Sequence, residues 1–229
     1  MLNSNSILKE EHMIKGIIFD FDGLIFDTET HQYHLLQELF TEHSCELPLE
    51  LWQKEIGTHT DFSPFVYLEE QAKRKLDLKI LETAFQENFL RKLELEKERP
   101  GVKDYLDTAK SLGLKIGLAS SSNYDWVSKH LKRLGLFDYF DCIKTSDDVE
   151  KVKPDPALYI EAARCLELQP NECIAFEDSA HGAQAAKTAG LNVVIFPNEV
   201  TNAMQFCDVD YRFDSMMAMP LADLISKYK

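Results

Sequence analysis

Four acidic side chains, one lysine and a run of hydroxyls follow short apolar stretches in this chain, and their types and spacing suit phosphoryl chemistry. The stretch over 14–19 ends in Asp20-Phe21-Asp22-Gly23, a second leads into Ser120-Ser121-Ser122-Asn123, and a third over 173–176 leads into Glu177-Asp178-Ser179. Carboxylates gathered within a few ångströms raise one another's pKa unless a cation neutralises them. A bound divalent metal meets that need. Oxygen donors without His or Cys select a hard ion, and Mg²⁺ characteristically takes one or two carboxylates, keeps waters and shares phosphate oxygens. Lys153, in Val152-Lys153-Pro154, offers a positive charge to the same phosphate. Gly23 permits close backbone approach, so main-chain N–H groups can donate there as well.

These residues need a frame that brings them to one edge. Residues 14–19 form a β-branched apolar run, the pattern of a strand buried on both faces of a parallel sheet. After Pro100-Gly101, helix and strand patterns alternate: helix over 102–112, strand over 114–119, helix over 124–134, helix over 156–166, strand over 173–176, helix over 182–189 and strand over 192–196. Such βαβ units predict an α/β fold with a doubly wound (Rossmann-like) parallel sheet, whose chemistry collects at the carboxyl ends of its strands. Between the first strand and Pro100 the chain is charged and helix-periodic, with Leu35, Leu36, Leu39 and Phe40 at helical spacing. The expected organisation is therefore an α/β core from 1–28 and 100–229, carrying an inserted all-helical cap over 29–99. Hinges are expected near 27–30 and 98–101.

Bulk properties narrow the function. The 229 residues are 45% hydrophobic, enough for one buried core with a smaller insertion, and no repeat or low-complexity tract interrupts them. Lys and Arg total 25 against 39 Asp and Glu, a formal net charge of −14, so no basic stripe is available to nucleic acid. No apolar run reaches the roughly 20 residues of a membrane span, and residues 1–12 lack a signal-peptide stretch. These features predict a cytoplasmic protein, monomeric by default, with residues 1–12 outside the fold. Cys45, Cys142, Cys165, Cys173 and Cys207 are odd in number and never spaced as CxxC, which predicts reduced, mostly buried thiols.

The stretch from Asp20 to Thr28 resembles the first motif of the haloacid dehalogenase-like phosphotransferases. Leu118-Ala119-Ser120 resembles their second motif, Lys153-Pro154 their third, and Glu177-Asp178-Ser179 with Gly182 their fourth. The helical insertion stands where the subgroup containing β-phosphoglucomutase and phosphoglycolate phosphatase carries its cap. The resemblance implies Asp20 as nucleophile, Asp22 as general acid and base, and Ser120 and Lys153 on the phosphoryl oxygens, with Gly23, Ser121 and Asn123 beside the substrate. It places Mg²⁺ between Asp20, Asp178 and the main-chain carbonyl of Asp22, with Glu177 nearby. The implied activity is a Mg²⁺-dependent phosphatase for a small phosphorylated metabolite, such as a sugar phosphate or phosphoglycolate, through an aspartyl-phosphate.

Blander readings exist for several of these residues. Ser121, Ser122 and Asn123 suit the N-cap of the following helix, and Asp27 and Thr28 suit a turn or cap at the insertion's entrance. The histidines show no metal-ligand spacing. The alternative enzyme is a phosphomutase of the β-phosphoglucomutase kind, but Gln32 and Thr60 stand where that enzyme has a cap histidine and a cap arginine. A non-enzymatic phosphoacceptor domain shares the acids and lysine but lacks the insertion. Lys54, His59, Lys73, Arg74 and Lys75 are the insertion's candidate contacts for an anionic substrate.

Overall fold

The computed structural model describes residues 13–228. Its centre is a six-stranded sheet in the order β3-β2-β1-β4-β5-β6, every neighbouring pair parallel. The strands are β1 (Gly16–Phe19), β2 (Lys115–Ala119), β3 (Cys142–Lys144), β4 (Cys173–Glu177), β5 (Asn192–Ile195) and β6 (Tyr211–Arg212). β1 is buried along its whole length because helices cover both faces of the sheet. Alternation divides its side chains: Ile17 and Phe19 enter the larger apolar cluster, while Ile18 enters the other with the small residues Ala183, Ala185 and Ala186. The strand order reverses between β1 and β4, which makes the carboxyl ends of these two strands the topological switch point. Phe19 pairs with Leu118 on one side and Phe176 on the other, so Asp20 leaves the sheet beside Ala119 and Glu177.

Four helices lie between β1 and β2's preceding helix: α1 (Thr28–Glu42), α2 (Leu49–Trp52), α3 (Pro64–Ala72) and α4 (Leu78–Leu95). The remaining helices, α5 (Val102–Ser111), α6 (Tyr124–Leu134), α7 (Ala157–Cys165), α8 (Ala180–Thr188) and α9 (Leu221–Ser226), belong to the α/β alternation. The chain leaves and re-enters the core at adjacent points, for Phe26 bridges to Glu98 and the Arg99 N–H donates to the Ile25 carbonyl at 2.8 Å. The Arg99 guanidinium fixes that crossing by donating to the carbonyls of Gly23, Phe196 and Pro197 at 2.6, 2.9 and 2.9 Å. Among the described residues no helix is long and apolar enough to cross a membrane.

Two expectations need correction. Cys142 and Cys165 form a disulfide, with Cα atoms 6.2 Å apart, because α7 packs its end against the start of β3; sequence spacing carries no trace of that contact. Cys45, Cys173 and Cys207 are free. The edge strands β3 and β6, three and two residues long, are too short for a periodicity of their own and went unpredicted. The expectation for residues 1–12 lies outside the described residues.

Candidate active site

Each acid is presented by a strand end whose local chemistry is simple. Beyond Phe19 the chain turns tightly at Gly23, which takes φ +82° and has no room for a side chain: a Cβ there would lie 2.4 Å from Asp178 Oδ2. Gly23 N–H donates to the Phe26 carbonyl at 2.8 Å, so its service to the site is steric and it has no N–H left for a phosphoryl group. Beyond β4, Ser179 caps α8 by accepting from the Gly182 N–H. Gly182 is required by contact, since a Cβ would stand 1.8 Å from Glu177 Oε1.

The first cluster is built around Lys153, which is fully buried although it is charged. Its Nζ donates to Asp20 Oδ1 and, at 2.6 Å, to Glu177 Oε1. The Tyr159 hydroxyl donates to the same Glu177 oxygen at 2.6 Å, while Glu177 Oε2 accepts from the Asp178 N–H, the Ser179 N–H and the Ser179 hydroxyl. Burial alone would lower the Lys153 pKa; Asp20 and Glu177 reverse that and push it up, so the ammonium is retained. Asp20 is pushed up to about 8, chiefly by burial, against the opposing pull of Lys153.

Asp178 completes this group. Its Oδ2 accepts from the Asn198 amide at 2.9 Å, but Oδ1 is buried with no hydrogen-bond partner. Burial first, then the charges of Asp20 and Glu177, raise its pKa well above the ordinary carboxylate range. Asp20, Glu177 and Asp178 each offer a carboxylate oxygen within 4.8 Å of the others. A dry, unpartnered carboxylate oxygen beside two further acids fits a divalent cation with oxygen ligands.

Asp22 occupies a different niche. Thr28 Oγ1 and the Trp126 indole N–H both donate to its Oδ1 at 2.9 Å, and Ser122 Oγ donates to Oδ2 at 2.6 Å. Burial raises its pKa, opposed by those three hydrogen bonds in the order Ser122, Trp126, Thr28. Its carboxylate stands outside the acidic trio.

Above both aspartates is a cavity of about 310 Å³, lined by Asp20, Asp22, Ser120, Ser121 and Ser122 from the core and by residues of the helical segment. The two parts touch directly. Ser121 Oγ donates to the Gly57 carbonyl at 3.0 Å, His181 Nδ1 lies 2.8 Å from the Ile56 carbonyl, and the Gln53 amide donates to the Val200 carbonyl at 2.7 Å. Ser120 is buried on the cavity floor, its Oγ accepting from the Ser122 N–H. Asn123 is exposed, caps α6 through the Trp126 N–H at 2.9 Å and does not line the cavity. Of the insertion's five basic candidates only His59 lines it; Lys54, Lys73, Arg74 and Lys75 are exposed elsewhere.

Sequence reasoning assigned no chemistry to Ser122, Trp126, Tyr159, Asn198 or Glu29, and read Thr28 as a turn residue. Thr28 instead joins Asp27, which does cap α1, in organising the site. The hydroxyl run hinted at Ser122, but nothing local connects Trp126 with Asp22, 104 residues away in the chain, or Tyr159 with Glu177, 18 residues away; the fold alone makes those links.

The profile of the family described as "Haloacid dehalogenase-like hydrolase" matches residues 17–196. The chain is similar to YhcW of Bacillus subtilis (strain 168), a phosphatase by name, at 58% identity over 213 residues, 93% of this chain and 97% of that one. It is similar to the phosphorylated carbohydrates phosphatase of Thermotoga maritima at 31% identity over 179 residues, 78% of this chain and 82% of that one. Among solved structures, a CbbY variant from Rhodobacter sphaeroides in complex with xylulose 1,5-bisphosphate superimposes with a TM-score of 0.72 at 27% identity, covering 93% of this chain and 99% of the other.

Proposed function

The chain belongs to the haloacid dehalogenase-like hydrolases and is an enzyme of their phosphatase type, and from that premise we propose that it is a Mg²⁺-dependent phosphomonoester hydrolase working through an aspartyl-phosphate on Asp20. The observation that carries the proposal is the pairing of two aspartates in one cavity: Asp20 against the Lys153 ammonium, and Asp22, two residues on, held by three neutral donors. A carboxylate beside a fixed cation suits attack on a phosphorus whose oxygens that cation also attracts. A carboxyl group with a raised pKa, held by neutral donors and outside the cluster of acids that would take the metal, suits proton transfer.

In the first step an Asp20 carboxylate oxygen forms a bond to phosphorus, the ester P–O bond breaks, and Asp22 gives its proton to the departing alkoxide. In the second, Asp22 takes a proton from water as the water oxygen bonds to phosphorus, and the Asp20–phosphorus bond breaks to release inorganic phosphate. Ser120 and Lys153 hold the phosphoryl oxygens through both steps. Asp20, Asp178 and the main-chain carbonyl of Asp22 would hold Mg²⁺, which when bound neutralises charge on the transferring group. Glu177, fully engaged with Lys153, Tyr159 and Ser179, acts chiefly as the counter-ion that keeps Lys153 charged and in place.

In this reading residues 29–99 form a cap domain on the core of 1–28 and 100–229, and the enzyme works as a cytoplasmic monomer on a small metabolite. The ligands named for its relatives, carbohydrate phosphates and a sugar bisphosphate, support a sugar phosphate as the general substrate type. A phosphomutase would use the same two aspartates. The test is phosphate release from a substrate panel with Mg²⁺ or EDTA, beside an Asp20→Asn variant: metal-dependent release lost in the variant supports the proposal. Isomer interconversion without release would replace it with the mutase, and inactivity in both assays would end it.

A further inference from the structure

Resting on the Mg²⁺-dependent phosphatase reading, we infer that Asn198 is a positioning residue of the metal site: its amide selects which oxygen of Asp178 faces the acidic cluster and ties the Asp178 turn to the turn that carries the Asp22 carbonyl.

Asn198 stands just past β5, the strand next to β4 in the sheet, and is buried. Its side chain is saturated with hydrogen bonds that run in two directions. Oδ1 faces its own loop, accepting from the Val200 N–H and the Thr201 N–H at 3.0 Å each and from the Thr201 hydroxyl at 3.1 Å. Nδ2 faces out of the loop, donating to Asp178 Oδ2 at 2.9 Å and to the Gly23 carbonyl at 3.3 Å. These partners fix the amide's sense. Reversed, it would set its oxygen against a carboxylate and a carbonyl, and its N–H groups against two N–H donors.

The consequences meet at Asp178. With Oδ2 occupied by Asn198, the oxygen left buried without a partner is Oδ1, and that is the one available to a cation. The Gly23 backbone closes against the pair, for a Cβ there would lie 2.4 Å from Asp178 Oδ2 and 2.9 Å from Asn198 Nδ2. The same turn is held at both ends of Gly23. Its carbonyl accepts from Asn198 and, at 2.6 Å, from Arg99, while its N–H donates to the Phe26 carbonyl, which fixes the peptide that presents the Asp22 carbonyl. One amide therefore joins the strand ends that carry Asp22 and Asp178. Without Nδ2, Asp178 would hold two unpartnered buried oxygens and could present either. The fixed geometry that a small hard cation demands would then have to be assembled during binding.

The experiment reads metal binding directly in the wild type, Asn198→Ser and Thr201→Val, by Mn²⁺ electron paramagnetic resonance with Mg²⁺ competition and by the rise of the thermal midpoint with Mg²⁺. A serine hydroxyl at 198 still accepts from N–H groups of the loop but does not reach Asp178, whereas Thr201→Val loosens the loop and leaves Nδ2 in place. Asn198→Ser should weaken metal binding about 10- to 100-fold, with the same rise in the Mg²⁺ concentration for half-maximal phosphate release and a substrate KM at saturating Mg²⁺ changed less than about threefold. Thr201→Val should lower the thermal midpoint in EDTA and keep metal affinity within about threefold of the wild type. Equal metal affinity in the wild type and Asn198→Ser, or an equal loss in both variants, overturns the inference and leaves the phosphatase reading standing. If Asn198→Ser does not fold, a crystal structure of the Mg²⁺-loaded wild type decides the point: Asp178 Oδ1 on the metal with Oδ2 on Asn198 supports the assignment, and Oδ2 on the metal overturns it. A wild type that binds neither Mn²⁺ nor Mg²⁺ removes the metal from the proposed function and this inference with it.

Discussion

Asp20 and Asp22 are separated by one residue and open onto the same cavity, yet their surroundings share almost nothing. Asp20 sits in a charged cluster, against a buried ammonium and beside two buried acids, one of which keeps an unpartnered oxygen. Asp22 sits among neutral donors, two hydroxyls and an indole. Burial raises both pKa values, but the forces opposing it differ in weight: chiefly the fixed positive charge of Lys153 for Asp20, and chiefly the hydrogen bonds from Ser122, Trp126 and Thr28 for Asp22, where the charge of Lys153 comes last. The difference teaches how one tight turn yields two roles. Burial pushes Asp20 up to about 8 against the pull of Lys153, and a divalent cation held with Asp178 would keep its carboxylate as the anion that attacks; a carboxyl in a neutral, buried niche can carry a proton to a leaving group.

Removing the nucleophile should have the largest effect. Asp20→Asn is expected to reduce phosphate release by at least about 10³-fold on every substrate, with no covalent phosphate trapped on the protein after acid quench. If labelled phosphate still accumulated on the variant, the nucleophile would have to be another residue. Asp22→Asn should cost about 10²- to 10⁴-fold with an alkyl phosphate. With p-nitrophenyl phosphate, whose leaving group needs no proton, the same variant should retain an initial burst of nitrophenol and then stall, because the second step lacks its base. Identical behaviour of the two variants toward both substrates would erase the division of roles.

Trp126→Phe tests the niche around Asp22 without touching the charged cluster. The indole stacks at 14° on Phe89 of α4 and donates to Asp22, so the ring contact survives the change and one hydrogen bond does not. Loss of one such bond to a carboxylate is worth about 1–1.5 kcal/mol, or roughly five- to tenfold in kcat, with KM nearly constant. A drop confined to KM would mean that Trp126 serves the substrate and not Asp22.

How much of this was legible beforehand follows from what each element asks of the chain. The strands β1, β2, β4 and β5 are largely apolar runs, and the acids of the buried cluster stand at their ends, Asp20 just after β1, Glu177 as the last residue of β4 and Asp178 just after it, so fold class and acidic cluster are both written locally. Lys153 was legible because it is flanked by Pro154 and stands between two such units. The niche of Asp22 was not, since Trp126 and Ser122 reach it from the other side of β2, as members of a helix start whose residues read equally well as caps. Tyr159 was hidden likewise: it sits on an apolar helix face among alanines and looks like core until β4 places Glu177 beneath its hydroxyl. The disulfide was invisible for the same reason, as a contact between elements with no pattern in either.

The smallest effect on turnover, and the sharpest check that the Asp22 niche is neutral, lies one layer behind it. His130 is buried, packs against Trp126 with ring centroids 4.3 Å apart, and has no hydrogen-bond partner on either ring nitrogen. Burial, then the charges of Arg133 and Lys129, lower its pKa to about 4. The folded protein therefore binds fewer protons at His130 than the unfolded chain between the ordinary histidine value near 6.5 and pH 4, so this residue's contribution to stability is constant above that window and falls as pH drops through it. Between pH 7 and pH 5 the loss should be about 2 kcal/mol. His130→Leu should remove that slope, read as the difference between wild-type and variant urea midpoints at the two pH values, while kcat at pH 7 changes less than about twofold. The comparison must be made as a difference, because the raised carboxyls of Asp20, Asp22 and Asp178 slope the other way and are present in both proteins. An equal pH slope in the two proteins would mean that His130 titrates normally, with water or a counter-ion reaching the back of Trp126, and the niche that sets Asp22 apart from Asp20 would then be wet.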